Sequence, residues 1–460
     1  MTSTHEDTHE DVHPSRQKLT LLFAFLVTLP GVITKLADLH PEPGVAAVIF
    51  GLAIVGAAFV LSWAAEVAQL FISAGLAIAV LAFIAVLPEY AVDMVFAFKG
   101  GRDFSEAGFD PGCRTPDMAQ GVESNCSLAL ANMTGANRLL IGVGWSMVVF
   151  IAWYRLRKRV GGKAVGSPDR VPTPTGSRLE ASAAGITLER SHAVEVAFLT
   201  LVTVYSLTLP FKSSITLVDA AVLVGIFIVY TIRISRAPAE EPHLVGPARW
   251  IGSFASRPSR LWTCIGLFVV AAGVILLCAE PFAHNLVETG EAFGISEFLL
   301  VQWLAPLASE SPELLVAGLY AWRLNTNAGL GTLVSSKVNQ WTLLVGTLPI
   351  VFAIASSSTH GLPLDRLQRD ELLLTAAQSL FAVAILNNLT LSNKEALSLF
   401  GLFWAQFILG GFLPDWERRA VAGVYLTLAV IILVKDWGNV RKLMRDGFRT
   451  PYAQLAQAGD

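Results

Sequence analysis

Charge is what this sequence has least of. Of its 460 residues 15% are Asp, Glu, Lys or Arg, where a soluble chain carries about a quarter. Four cysteines in the whole chain are too few for a disulfide scaffold, and no Cys/His spacing of the zinc-binding kind occurs. There is no Gly-x-x-x-x-Gly-Lys-Ser/Thr loop to cradle a nucleotide. There is no His-Glu-x-x-His pair, and no Ser or Cys nucleophile with a base at useful spacing, which argues against a membrane-embedded enzyme. What is present is apolar: 53% of residues are hydrophobic and the mean hydropathy is +0.57.

The apolar residues come in runs that reach the roughly 20 needed to cross a bilayer. About twelve such spans are read: near Leu19–Leu39, Val45–Leu70, Ala74–Phe98, Cys126–Tyr154, Ala193–Pro210, Ile215–Ile234, Leu261–Leu286, Ile295–Trp322, Ala328–Ala355, Leu372–Leu389, Ala396–Phe412 and Ala420–Val434. The expected fold is therefore an all-α polytopic membrane protein. The first run is long and flanked by charge, so it reads as a retained span and not a cleaved signal. Residues 1–18 read as a disordered tail, with His5, His9 and His13 leaving a weak metal-binding alternative. Gly161–Arg190, rich in Pro, Gly, Ser and Thr, reads as a flexible loop. Basic residues follow the fourth span (Arg155, Arg157, Lys158, Arg159, Lys163). They recur between the sixth and seventh (Arg233, Arg236, Arg249, Arg257, Arg260) and after the twelfth (Lys435, Arg441, Lys442, Arg445). By the positive-inside rule these regions and both termini are cytoplasmic, in a cell or inner membrane, and Lys99–Glu123 faces out.

The sequence also repeats itself. Ala82–Gly144 and Ala305–Gly346 share one plan. Leu87-Pro88-Glu89 answers Ser311-Pro312-Glu313, and Asn132–Asn137 answers Thr332–Lys337. A third match sets Ala65-Glu66 against Ala279-Glu280. Residues 43–235 and 261–413 each hold five spans. An odd number makes the second copy enter the membrane from the opposite side, giving two inverted five-helix repeats. Residues 19–42 and 414–460 then supply flanking helices, and 236–260 a cytoplasmic linker.

Proline ahead of glutamate inside a span breaks the helix and frees carbonyl oxygens, which lipid tolerates only against protein or a watery cavity. Carboxylates beside freed carbonyls make a hard-oxygen site suited to calcium. Glu89 and Glu313, brought together across a pseudo-twofold axis, would nearly neutralise one divalent ion. The competing reading is that each glutamate pairs with a nearby base and only holds helices together.

These blocks resemble the calcium/cation antiporter superfamily, which includes the sodium/calcium exchangers. Its members carry two repeats, each with a Gly-Thr-Ser-x-Pro-Glu and a Gly-Asn-x-x-Gly-Ser-Asn-x-x-Asn block. The resemblance implies two inverted five-helix halves with Glu89 and Glu313 as the central cation ligands. The first half keeps Pro88-Glu89, Asn132, Gly135 and Asn137. The second keeps Ser311-Pro312-Glu313, Gly331 and Ser336. Elsewhere the chain departs from the pattern. Ala85 and Val86 stand for the Thr-Ser hydroxyls in one half, Ser309 and Glu310 in the other. Leu140 and Gln340 replace the last Asn. Lys337 stands where Asn is expected, a tethered ammonium with Glu310 as its expected counter-charge and Arg138 close to the first block. Several oxygens expected for sodium are thus missing, which puts coupling to three sodium ions in doubt and leaves room for proton coupling through the carboxylates. Asp93, one turn after Glu89, is a candidate second acid or a solvated helix end. Glu66 and Glu280 are read as lining a vestibule, His284 as the partner of Glu280, and Asn387 and Asn388 as packing residues.

The expected function is a secondary antiporter of calcium or a related divalent cation against sodium or protons. The alternatives are a monovalent sodium/proton exchanger on the same fold, and a non-transporting sensor or enzyme. The expected partners are cations and the lipid bilayer, not nucleic acid, with no cofactor beyond the transported ions. Cys113 and Cys126, both outside in this topology, are expected to form a disulfide, with Cys264 and Cys278 free.

Overall fold

The computed structural model describes residues 14–68, 70–71, 87–115, 123–159, 185–236, 244, 246–294, 297–410 and 416–456, and within these nearly every element is a helix. The first half runs α1 (Pro14–Leu36), α2 (Pro43–Ala68), α3 (Leu87–Glu106), α4 (Ala131–Leu139), α5 (Ser146–Arg159), α6 (Ala193–Ser206) and α7 (Leu217–Ile234). The second runs α8 (Arg257–Phe293), α9 (Glu297–Ser309), α10 (Ser311–Trp322), α11 (Thr326–Asn339), α12 (Val345–Ser356), α13 (Arg366–Ile385), α14 (Asn393–Leu409), α15 (Trp416–Lys435) and α16 (Trp437–Phe448). Capping boxes start three of them where the chain leaves a turn: Thr216 with Asp219, Asp365 with Gln368, and Ser392 with Glu395. Each satisfies N–H groups that have no partner inside the helix.

The outside of the bundle is greasy. On α1 Leu22, Phe23, Leu26 and Ile33 are all more than half exposed, as side chains facing lipid are. Among the described residues eight helices are long and apolar enough to cross a bilayer, or nine if α15 and α16, bent 87° apart, count as one span. The expected span Ile295–Trp322 is divided into α9 and α10, each too short alone, and part of Ala74–Phe98 lies outside the described residues.

Short strand pairs fasten the two ends. Gly185–Thr187 pairs antiparallel with Thr390–Ser392 at one end, and Ser214–Ile215 with Leu362–Pro363 at the other. Near the first pair Arg190 grips Asp446 of α16 through two bonds of 2.8 and 3.0 Å. Near the second, Cys113 and Cys126 are joined as a disulfide with Cα atoms 6.1 Å apart, while Cys264 and Cys278 are free and buried. The loop expected at Gly161–Arg190 therefore ends in a strand from Gly185, with Ile186 buried against its partner. Residues 14–18, expected as tail, form the first turns of α1. The His5, His9 and His13 tract lies outside the described residues.

The two halves repeat at a finer level than the motifs. α4 runs into a π-helical segment, Leu140–Trp145, and α11 into another, Gln340–Leu344. A π segment is one residue too wide for the α-helix and is frequent at functional sites. Among the described residues it occurs once per half, beginning three residues after Asn137 in one and three after Lys337 in the other.

Candidate cation site

Both Pro-Glu motifs are helix starts. Leu87, Pro88 and Glu89 open α3, and Ser311, Pro312 and Glu313 open α10, so each glutamate stands in a first turn. Proline costs nothing there, because the N–H it lacks would have no helical partner. The positive ends of two helices thus meet the carboxylates inside the bundle. In the second half α9 ends at Ser309 and α10 begins at Ser311, leaving Glu310 at the kink. Its backbone still bonds both ways, N–H to Pro306 at 2.8 Å and carbonyl from Leu314 at 3.0 Å.

Glu89 is fully buried, and the group its carboxyl meets is the carboxyl of Glu310, with no N–H or hydroxyl donor at either oxygen. The charged groups within its range are the acids Glu310, Glu313 and Asp93, of which Glu310 acts on it most strongly. The expected pairing of Glu89 with Glu313 is therefore a group of four carboxyls in which Glu310 acts on Glu89 more strongly than Glu313 does. Glu310 is buried and accepts a hydrogen bond from the Gln340 amide. Glu313 is partly buried, with one oxygen unpaired. Asp93 is fully buried, not a solvated helix end, and lies beside Asn132 with neither side chain in a hydrogen bond of good geometry. The reading in which each glutamate pairs with a base finds no such base at Glu89.

Lys337 faces this group from the other side. It is fully buried, so it does not reach for the interface. Its Nζ donates to both the backbone carbonyl and the Oδ1 of Asn137, at 2.6 Å each, and Glu310 is the acid it feels most strongly. The expected direct pairing with acids is replaced by this clamp. Asn137 and Lys337 are 200 residues apart and are each other's repeat equivalents. Two equivalent residues that touch flank the pseudo-twofold axis, so the axis passes close to the ammonium and Asn137. The Trp341 ring stands 5.7 Å from it. Ser309 is buried but donates to Ala305 of its own helix at 3.2 Å, and Ser336 is buried next to Lys337 in α11.

Four carboxyls confront one ammonium in a dry setting, and such a group needs protons or a cation as counter-charge. Among the described residues no three His, Cys, Asp or Glu side chains converge closely enough to hold a metal ion. A divalent ion entering here would draw the carboxyls inward and complete its shell with amide, hydroxyl or carbonyl oxygens, which calcium accepts in irregular geometry.

Gln302 was not among the expected site residues. It is buried in α9 and its Nε2 donates to Thr134 Oγ1 at 3.2 Å. A lone polar residue inside Leu299-Leu300-Val301-Gln302-Trp303-Leu304 was the available signal. Its backbone meets α4 where Gly135 lies: a Cβ on Gly135 would stand 1.6 Å from the Gln302 carbonyl oxygen. Gly135→Ala is therefore expected to force α4 from α9 and cost about 1–3 kcal/mol of stability. A melting curve of the purified variant checks this, and an unchanged midpoint would refute the contact.

The remaining sequence expectations fall at the edges. Glu280 is exposed and pairs with Lys99 at 3.4 Å. It lines a cavity of about 570 Å³ with Asp38, His40, His284 and Glu288, at the end of the bundle that holds the C-terminus of α1. It thus belongs to an outer mouth, apart from the carboxyl cluster. His284 bonds Glu288 at 3.3 Å and not Glu280, because Lys99 has taken that place. Glu66 is buried near Tyr320 of α10. Asn387 donates to Ala384 and Asn388 accepts from Thr390, both local turn contacts.

The profile of the sodium/calcium exchanger protein family matches residues 43–235 and 263–409. Among solved structures the chain is similar to an H+/Ca2+ exchanger, CAX, with 37% identity and a TM-score of 0.81, over 97% of this chain and 100% of that one. It is also similar in fold to YfkE, a Ca2+/H+ antiporter protein, at 14% identity and a TM-score of 0.51, over 91% and 99% of the two chains. No curated protein sequence matches.

Proposed function

Because the chain belongs to the sodium/calcium exchanger family, whose members are membrane transporters and not enzymes, we propose that this cation antiporter moves calcium or a related divalent ion outward in exchange for protons. The observation that carries the reading is the buried set Glu89, Glu310, Glu313 and Asp93, set against a single ammonium close to the pseudo-twofold axis. A divalent ion and protons are competing ways to neutralise the same carboxyls. Alternating access of the two repeats around that axis would present the site to each side in turn. Glu89 and Glu313 are the central ligands, with Glu310 beside them. Asp93 and Asn132 supply oxygens beyond that, and Lys337, held by Asn137, sets the charge that an ion must balance. The similarity to an H+/Ca2+ exchanger supports protons over sodium as the coupling ion. So does the loss of oxygen ligands at Ala85, Val86 and Leu140.

The basic loops support a cytoplasmic position for the Gly185–Thr187 end, with Arg190 and Arg233, and for both termini. On this reading the disulfide end faces outward, with the twelve spans read from the sequence between them.

Purified protein in liposomes, with pH and sodium gradients imposed separately, tests the coupling. A pH gradient is expected to drive calcium uptake at least about tenfold faster than an equal sodium gradient, a difference of ~1.4 kcal/mol. Sodium drive without proton drive would reverse the assignment. Sodium/proton exchange with no calcium flux would establish the monovalent alternative.

A further inference from the structure

Arg138 follows Asn137 on α4, and its side chain enters a second buried cluster that the transport chemistry does not use. The guanidinium lies 2.8 Å from Glu371 Oε2 on α13, and both side chains are 1% exposed. It donates to Gln406 Oε1 of α14 at 3.2 Å and stands 4.9 Å from the Trp303 ring of α9. The other oxygen of Glu371 accepts from Arg418 Nε of α15 at 2.6 Å. Gln378, two turns after Glu371, donates to the backbone carbonyl of Arg138 at 3.4 Å. Side chain and main chain of one residue are thereby held from α13, while the residue before it holds Lys337 through its own carbonyl and amide.

Ion pairs this deep are weak devices for stability, because desolvating the charges offsets their attraction and an apolar set would pack as well. They are directional, however, and a helix held by a two-sided carboxylate cannot turn about its axis freely. α4 supplies nine residues ahead of a π segment and continues through it into α5 as one span, and the π segment interrupts the regular α-helical bonding that would otherwise fix the rotation of α4 relative to α5. α15 lies beyond both repeats, and beyond the residues that the family profile covers.

We propose that Glu371, gripped by Arg138 on one side and Arg418 on the other, is a positioning residue. It sets the rotation of α4 and with it the Asn137–Lys337 clamp, which makes α15 a working part of the transport site. The inference rests on the reading of Lys337 as a component of that site. Loss of the grip lets Asn137 turn from Lys337, so the ammonium moves among the carboxyls and competes with the incoming ion. Affinity for calcium falls while the steps after binding are unaffected.

Initial calcium uptake into proteoliposomes is measured against calcium concentration for wild type, Glu371→Gln, Gln406→Leu, Lys337→Asn and the Glu371→Gln/Lys337→Asn double variant. Glu371→Gln is expected to raise KM about threefold or more, with the maximal rate within about twofold, the pattern of lost binding and not of lost chemistry. Gln406→Leu, which leaves the ion pair in place, is expected to shift KM in the same direction by less. In the Lys337→Asn background the Glu371→Gln effect is expected to shrink below about twofold, since coupled residues are not additive. An equal KM effect in both backgrounds would overturn the proposal. So would a fall in maximal rate and melting temperature with KM unchanged, the mark of simple glue. If Glu371→Gln does not fold, Gln406→Leu decides: an unchanged KM there overturns the idea. If wild type moves no calcium, the transport reading fails on its own. The same cycle is then read in melting temperatures, where additivity overturns the positioning role.

Discussion

Glu89→Gln is expected to abolish calcium transport, by at least about a hundredfold or ~3 kcal/mol, within the range for losing one member of a buried charged contact. The carboxyl is fully buried, and the side chain it meets is the carboxyl of Glu310 and not a donor elsewhere in the fold. Glutamine has the same shape, so packing around the start of α3 is preserved. What is lost is charge at the one place where Glu310, Glu313 and Asp93 all come into range. Glu313→Gln is expected to act alike, because it opens the equivalent helix of the other repeat. Flux in reconstituted vesicles reads the effect, with gel filtration and a melting curve showing that the variants are folded. Transport at the wild-type rate by either variant would remove that residue from the site.

Lys337→Asn is expected to change which ions are carried more than it changes stability. A buried ammonium is costly to place, and here two oxygens of Asn137 at 2.6 Å meet the cost. With asparagine the repeat would have Asn on both sides of the axis, and the carboxyls would face no fixed positive charge. The vacated charge is expected to be filled by a monovalent cation. Sodium, the weaker driver of wild-type flux if protons are the coupling ion as proposed, should then inhibit or drive calcium flux about tenfold more than it does in the wild type, or by ~1.4 kcal/mol. Lys337→Gln should do likewise. The check is flux of calcium, sodium and protons in variant and wild type across pH. Unchanged ion preference and pH dependence would show that the ammonium is structural, and the carboxyl site would stand without it.

The residues that could be read from sequence were those that occur twice. Glu89 and Glu313 share a proline and a repeat position, and Asn137 and Lys337 share a register, so the repeat alone led to them. Glu310 occurs once, opposite Val86, and a search for matched pairs sets it second although it is the acid that acts most strongly on Glu89. The π segments leave no trace in composition, because Leu140–Trp145 and Gln340–Leu344 read as ordinary apolar helix. Glu371 sits one turn into α13 behind Arg366, Arg369 and Asp370, where a charge reads as a solvated helix end. Only the tertiary fold brings Arg138 and Arg418 to it. The opposite error befell Glu280. Its repeat partner Glu66 is buried, but an inverted repeat sends equivalent positions to opposite ends of the bundle, and Glu280 emerged at an open mouth.

The most direct test of the carboxyl cluster as the cation site is calcium binding at equilibrium, without flux, to detergent-purified wild type and Glu89→Gln. Wild type is expected to bind about one calcium per chain, with acidification releasing it as protons take over the carboxyls, and Glu89→Gln is expected to bind none at the same concentrations. Equal binding by the two proteins would place the ion elsewhere and contradict the site.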